Sequence, residues 1–135
     1  MKWLFLVCLP WLLAREPLTL KVRVTGFNSN KGQAFVALFN TSESFPTYGE
    51  QLIGKIVNIQ DRVCTVSFSD LTQGYYAVAV YHDANKNMKL DRNLFGMPTE
   101  CYGFSNNARA TISAPSYQEA KISCLKDKSI NILVK

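Results

Sequence analysis

The sequence has a single histidine, His82, and four cysteines, no two of which stand in a CxxC spacing. The missing CxxC spacing disfavours a structural zinc site, because such sites commonly draw paired ligands from one tight turn. Only 19% of the residues are charged, and the formal net charge of +5 is scattered along the chain instead of forming a basic stripe. We therefore do not expect the protein to recognise nucleic acid.

Long apolar runs are also missing. The apolar stretch in residues 1–14 begins after Lys2, ends at the small residue Ala14, and is shorter than the roughly 20 residues that span a bilayer. These features predict a secretory signal peptide and no stable membrane insertion. A lipid anchor at Cys8 is disfavoured because the residue before it is not small. The sequence thus predicts an exported protein, periplasmic or extracellular, with one domain over residues 15–135.

Three cysteines remain after this cleavage, Cys64, Cys101 and Cys124. An odd number in an oxidising compartment allows at most one internal disulfide. Cys64 and Cys124 each share a strand face with apolar residues, so we expect both to point into the core. A bridge between these two cysteines and two buried free thiols fit the pattern equally well.

Apolar and polar residues alternate along several short segments, and no helical period is convincing. Residues 18–25 give the clearest strand pattern, and the Gly- and Asn-containing turn after them predicts a hairpin with residues 33–40. Residues 75–81 are apolar on both faces, which predicts a central strand. Further strands are predicted at 52–59, 63–68, 108–113, 120–125 and 129–134. About seven short strands favour an all-β, antiparallel sandwich, with a closed barrel as the alternative.

The segment 82–107 is polar and far longer than an ordinary connection, so we expect it to be functional or ordered by a ligand. Its predicted metal ligands, spaced as in a calcium loop, are Asp83, Asn85, Asn87, the Lys89 carbonyl and Asp91. The match is partial, because Met88 and Leu94 stand where such a loop has Gly and Glu. Alternatively, these Asp and Asn side chains cap turns through hydrogen bonds to backbone amides.

His82 adjoins Asp83 at the end of the predicted central strand, a position that suits the general base of a small hydrolase. No Ser or Cys motif lies nearby in the sequence to supply a nucleophile. The alternative is that the imidazole is hydrogen-bonded to loop backbone and has a structural role.

Residues 102–107 are rich in aromatic and amide side chains. With His82, the predicted ligand-binding residues are Tyr102, Phe104, Asn106 and Asn107. Aromatic faces flanked by amides suit sugars and peptides, since rings stack on apolar faces while amides pair with polar groups. In the alternative interpretation, the two rings plug one end of the sandwich and the asparagines cap the loop.

Many residues between Gly32 and Ser116 fit the pattern of one family. They are Gly32-Gln33, Val36 to Phe39, Phe45-Pro46, Phe68, Asp70-Leu71, Gly74, Ala77 to Val80, His82-Asp83, Asn85, Asn87, Leu90-Asp91, Asn93, Gly96, Pro98, Tyr102 to Asn107 and Pro115-Ser116. The chain thereby resembles an uncharacterised, mostly bacterial family of exported proteins, the domain of unknown function 2141. Members usually have Gly where Met88 and Cys101 stand. The resemblance implies an extracytoplasmic immunoglobulin-like or prealbumin-like sandwich and no established activity.

The stretch from Phe68 to Tyr76 is also similar to carboxypeptidase regulatory-like and transthyretin-like domains, which are generally binding or structural modules. A fold resemblance does not assign a function.

Together these features predict an exported, non-enzymatic binding or structural module that uses loop 82–107 as its contact surface, with calcium as the candidate cofactor. The expected partner is an extracytoplasmic glycan or protein. The alternative is a small hydrolase centred on His82 and Asp83. A third interpretation, a carrier of a small apolar ligand, requires a cavity, which a sequence pattern does not reveal.

Overall fold

The computed structural model describes residues 15–88, 100–110 and 113–135. Its elements in chain order are β1 (Leu18–Thr25), β2 (Gln33–Phe39), β3 (Ile53–Val57), β4 (Val63–Leu71), β5 (Gly74–Asp83), β6 (Tyr102–Phe104), a 3-10 turn (Ser105–Asn107), α1 (Tyr117–Ala120), β7 (Ile122–Cys124) and β8 (Lys128–Leu133). The predicted signal peptide lies outside the described residues. Within them, no helix has the length and apolar character of a membrane span.

The strands form two sheets. Sheet A has the order β4-β1-β8, and sheet B has the order β3-β2-β5-β6, with β7 also paired to β5. The described pairs are antiparallel except β1 with β8, which is parallel. This two-sheet arrangement confirms the predicted all-β sandwich and is consistent with an immunoglobulin-like fold. The central position predicted for residues 75–81 is also confirmed, because β5 pairs with β2, β6 and β7.

The main core lies between the two sheets and follows from alternation along the strands. In β1, Leu20, Val22 and Val24 are fully buried, whereas Lys21 and Arg23 between them face solvent. Burial of each such aliphatic side chain stabilises the fold by about 1.5–3 kcal/mol relative to exposure. The period-two pattern therefore sets which face of sheet A meets sheet B.

The predicted hairpin between residues 18–25 and 33–40 is wrong. Strand β1 bonds to β4 and β8 in sheet A, while β2 bonds to β3 and β5 in sheet B. The connection between them crosses from one sheet to the other. Phe27, in this connection, is 2% exposed because it packs in the core between the sheets.

The strand predicted at 108–113 is also wrong for its described part, since residues 108–110 and 113 lie in no strand. A short strand, β6, forms earlier and pairs with β5. Further along the chain, α1 begins with a capping box. The Ser116 hydroxyl accepts the Glu119 N–H, and the Glu119 carboxylate accepts the Ser116 N–H.

The three described cysteines are buried free thiols, as in the second alternative above. Cys64 and Cys124 both belong to the core between the sheets. Burial raises the pKa of the Cys64 thiol to about 11 from its ordinary value of 9.0. Burial also raises the pKa of Cys124. Both thiols are thus kept protonated and behave as small apolar side chains.

Candidate functional site

Sheet B is apolar on both faces. In β2, Ala34, Val36 and Leu38 face sheet A, whereas Phe35, Ala37 and Phe39 face the other way. The second set belongs to a separate apolar cluster on the outer face of sheet B. In the described part of the chain no second sheet covers this outer face, so its side chains must be covered by loops, by α1 or by a ligand.

The register of the strands places small residues side by side on the outer face. Ala37 pairs with Gly54 on one side and with Ala79 on the other. In the next row on the same face, Phe35 pairs with Tyr81, and Tyr81 pairs with Tyr102. A floor of Gly and Ala therefore runs beside a wall of three aromatic rings.

Gly54, at the edge of this row, leaves room for a ring. A Cβ atom at Gly54 would lie 2.9 Å from Cζ of Phe35, closer than real Cβ contacts allow. The Phe35 ring therefore lies over β3 at the point where the edge strand has no side chain.

On the other side of this floor, a packed group of aromatic rings around Phe45 forms a second wall. Phe45 meets Phe39 edge-to-face, with ring centroids 5.3 Å apart and an interplanar angle of 89°. It contacts Phe104 and Tyr117 in the same T-shaped manner, at 5.9 Å and 6.0 Å. Ala120 of α1 completes this cluster. T-shaped packing at these distances is typical of a core, so this end of the outer face is filled.

The other end of the outer face is open and forms a cleft of about 660 Å³, which we call the aromatic cleft. Among the described residues it is lined by Phe35, Ala37, Phe39, Pro46, Thr47, Tyr48, Ala79, Val80, Tyr81, Asn87, Met88, Tyr102, Phe104 and Ala114. None of these side chains is charged. Its volume lies within the range of small-molecule sites, roughly 300–1,000 Å³.

The rings at this open end are arranged differently from the packed group. Phe35 is inclined by 43° to Tyr81 and by 54° to Tyr48, with centroids 5.3 Å and 5.4 Å apart. Tyr48 is 57% exposed at the edge of this group. The three rings therefore form an inclined, partly exposed group instead of an interlocked core.

The hydroxyl of Tyr81, a residue that lines the cleft, is buried without a hydrogen-bond partner among the described residues. Among the described residues, its oxygen is the buried side-chain polar atom that makes no hydrogen bond. Burial raises the pKa of Tyr81 to about 12, and Tyr48, Asp83 and Glu100 add to the rise. The hydroxyl is therefore protonated over the physiological range and has a hydrogen to donate.

The turn after β5 is held by Asp83, which is 1% exposed. Its carboxylate oxygens accept hydrogen bonds from the backbone N–H groups of Asn87, at 3.0 Å, and Met88, at 2.8 Å. Asn85 Oδ1 also accepts from Asn87 N, at 3.2 Å. These contacts are those of a capped turn.

Of the predicted metal ligands, Lys89 and Asp91 lie outside the described residues. In the described part of the chain, no group of three or more His, Cys, Asp or Glu side chains is placed to hold a metal ion. Calcium binding stays a prediction. Met88 has φ 64°, so the backbone there is left-handed, a conformation that favours Gly.

His82 lies on the inner face of sheet B and is 3% exposed. Its Nε2 atom is 2.6 Å from the carbonyl oxygen of Lys31, and its ring meets Phe27 edge-to-face at 5.3 Å. A general base must reach the substrate proton that it removes. The enclosed imidazole holds the connection between β1 and β2 against β5. Its geometry gives no support to the hydrolase alternative.

Asn106 and Asn107 support the fold away from the cleft. The Asn106 amide donates to the carbonyl oxygens of Glu119 and Lys121, at 3.1 Å and 2.9 Å. Asn107 Oδ1 accepts the N–H of Leu133 at 2.9 Å. These contacts tie the 3-10 turn to α1 and β8. Ligand contact by either asparagine, or by His82, stays a prediction.

Ser105 has a structural role that sequence reasoning missed. Strands β6 and β7 pair with the same edge of β5 and leave a gap at Val78. The buried Ser105 hydroxyl accepts the Val78 N–H at 2.9 Å and donates to the Ala120 carbonyl oxygen. It therefore takes the place of a strand partner between the two short strands.

The structure brings only some of the predicted residues to the cleft. Tyr102 and Phe104 line it, and so does Asn87 from the predicted metal set. Sequence reasoning missed the residues that β2, β5 and the loop before β3 contribute, namely Phe35, Ala37, Tyr48, Ala79 and Tyr81. One sequence feature could have indicated the cleft, namely the small residue Ala37 between two phenylalanines on the same face of β2.

A family model described as "Uncharacterized protein conserved in bacteria (DUF2141)" matches residues 22–132. The chain therefore belongs to the DUF2141 family. No curated protein and no solved structure is significantly similar to it.

Proposed function

We propose that the protein, as a member of the DUF2141 family, is an exported, non-enzymatic binding module that takes an apolar ligand in the aromatic cleft. The observation that carries this proposal is the part of the floor that lines the cleft, Ala37 and Ala79, between aromatic walls. Most ligand sites are concave, largely apolar and partly preformed, with few polar groups.

A sandwich does not need such a floor for its stability. A larger side chain at Ala79, which is half-buried, would bury more apolar surface and fill part of the outer face. Instead, Ala79 is half-buried beside the cleft, and of the neighbouring rings Tyr81 and Tyr102 are half-buried and Tyr48 is exposed. A ligand that covers this surface would gain about 25 cal/mol for each Å² of apolar area removed from water.

The proposal keeps part of the predicted contact surface in loop 82–107. Tyr102 and Phe104 come from the end of that loop, and Met88 comes from its beginning. It also favours the interpretation of the protein as a carrier of a small apolar ligand, because the cleft is the cavity that such a carrier requires. The partner predicted from the sequence, an extracytoplasmic glycan or protein, stays a prediction.

Export is supported by the signal-like character of residues 1–14. It is tested by fractionating cells that express the full chain and measuring the mass of the protein in each fraction. We expect a product that begins near Arg15 outside the cytoplasm. An uncleaved cytoplasmic product would contradict export and leave the binding proposal intact.

Binding is tested with isopropenylbenzene, a neutral apolar ring, in an NMR chemical-shift titration of the purified protein. We expect saturable shifts at the outer-face residues of β2 and β5. Ala79→Leu fills the floor and should weaken binding at least about tenfold, since a Leu side chain occupies the volume of the ring.

The matched control is Thr65→Leu, which places the same apolar side chain at an exposed position of sheet A. This variant should bind like the unmodified protein, and thermal melting should show both variants folded. Shifts that do not saturate, or equal binding by the two variants, would contradict a ligand site in the aromatic cleft.

A further inference from the structure

We infer that the aromatic cleft binds one apolar ring of its ligand and that this ring bears one neutral hydrogen-bond acceptor. The Tyr81 hydroxyl donates a hydrogen bond to that acceptor. This inference rests on the proposed function and names its ligand class. It follows from three features of the cleft: its width, the Tyr81 hydroxyl, which is unpaired among the described residues, and the charge of its surroundings.

The width follows from strand geometry. Phe35 and Phe39 lie on the same face of β2, four residues apart, with Ala37 between them. At about 3.3 Å per residue, their Cα atoms are about 13 Å apart. The side chains of the two walls each take up several ångströms, so the remaining gap admits an apolar ring lying between them.

The polar requirement follows from Tyr81. Its hydroxyl is buried and makes no hydrogen bond among the described residues. An unpaired buried hydroxyl destabilises a folded protein, so such groups usually have a partner. A ligand acceptor would supply the hydrogen bond that this hydroxyl does not make with the described residues.

Access to this hydroxyl needs a small movement. The atom is shielded from water, and among the described rings of this group Tyr48 is the most exposed, at 57%, and packs against Phe35. Rotation of an exposed side chain on binding is common and costs little. Tyr48 is therefore the side chain that we expect to turn when the ligand enters.

The charge of the acceptor is restricted by the surroundings. No described side chain that lines the cleft is charged, and the acidic groups Asp83 and Glu100 are close enough to disfavour negative charge at Tyr81. Among the described residues that line the cleft, a carboxylate on the ring would find no counter-ion, and Arg109, whose guanidinium lies 4.8 Å from the Tyr102 ring centroid, is outside the lining. A neutral carbonyl or ether oxygen accepts the same hydrogen bond without that repulsion.

The test compares three probes of similar size in the same NMR titration, namely acetophenone, isopropenylbenzene and benzoate. Acetophenone has a carbonyl oxygen where isopropenylbenzene has a methylene group, so the two differ by one acceptor. We expect acetophenone to bind about fivefold more tightly than isopropenylbenzene, the value of one hydrogen bond. Benzoate should bind more weakly than either neutral probe.

Tyr81→Phe removes the hydroxyl and keeps the ring. In this variant, acetophenone should lose its advantage, while the affinity for isopropenylbenzene stays unchanged. Without ligand, the variant should melt at the same temperature as the unmodified protein or higher, because it no longer buries an unpaired hydroxyl. A loss of the acetophenone advantage without a loss of stability distinguishes ligand contact from a structural role.

Equal affinity for acetophenone and isopropenylbenzene would overturn this inference and leave the proposed function standing. An advantage that persists in Tyr81→Phe would overturn the assignment to Tyr81, and tighter binding of benzoate would overturn the neutral acceptor. If none of the probes binds, the inference and the apolar ligand site both fail.

Discussion

The two faces of sheet B are built from alternate residues of the same strands, yet they have different compositions. The inner face carries aliphatic side chains such as Val36, Leu38 and Val78, all fully buried against sheet A. The outer face carries rings around alanines and retains a cleft. Two sheets pack about 10 Å apart, which fixes the side-chain size on the inner face. The outer face has no such constraint, so its composition indicates another use.

The largest expected effect concerns the inner face. Leu38→Ala removes a side chain that is 0% exposed and leaves a cavity that neighbouring strands cannot close. We expect a loss of about 3 kcal/mol in the free energy of unfolding, measured by urea denaturation. The outer-face control is Tyr48→Ala, at a residue 57% exposed, which should cost less than about 1 kcal/mol. Similar losses in the two variants would remove the distinction between the faces.

Burial of the Cys64 thiol in the inner core leads us to expect a loss of stability at alkaline pH. The thiol of Cys64 ionises near its ordinary pKa of 9.0 in the unfolded chain and at about 11 in the folded protein. Between these values the folded state holds more protons, so stability is full below about pH 9 and falls as the pH rises toward 11. Urea denaturation at pH 8, 9, 10 and 11 measures this loss.

Cys64→Ala is the control for the alkaline effect. It lowers stability at every pH because it removes packing, but it should reduce the further loss between pH 9 and 10. Tyr81, whose pKa burial raises to about 12 from 10.0, contributes mainly above that interval. The same pH dependence in both proteins would show that the Cys64 thiol is not the group responsible.

The inner face was largely predictable from the sequence, because alternation reports burial directly. Leu20, Val22 and Val24 are buried as the pattern in β1 requires. The pairing of strands was less predictable, since a turn-like segment leads equally well to a hairpin or to the other sheet. Burial of Phe27 in the core decides this case.

The outer face could not be predicted to the same extent. Its floor exists only because the register brings Gly54, Ala37 and Ala79 into one row across three strands, and register is not visible in a single segment. Tyr102 was predicted because it stands in an aromatic cluster of the sequence. Tyr81 was assigned to a central strand, where its ring had no reason to stand out. The four-residue α1 is too short to show a helical period.

A smaller effect is expected at Met88, where the outer face meets the turn after β5. Its backbone has φ 64°, which costs a residue with a Cβ atom about 1 kcal/mol. Met88→Gly relieves this cost but adds chain entropy in the unfolded state, so we expect a net gain of about 0.5 kcal/mol. Met88→Ala keeps the strain and should give no gain. Thermal melting of both variants measures the difference, and equal melting temperatures would show that the turn is not strained.

The smallest expected effect concerns calcium at the same turn. Both carboxylate oxygens of Asp83 accept backbone N–H groups, and the Asn85 side chain caps Asn87 as well. A cation would have to compete with these hydrogen bonds and with the nearby positive charge of Lys86. We therefore expect millimolar calcium to leave the melting temperature unchanged, whereas Asp83→Asn should lower it because one acceptor becomes a donor. A calcium-dependent rise that disappears in Asp83→Asn would instead establish the calcium loop and extend the functional region from the outer face into the turn.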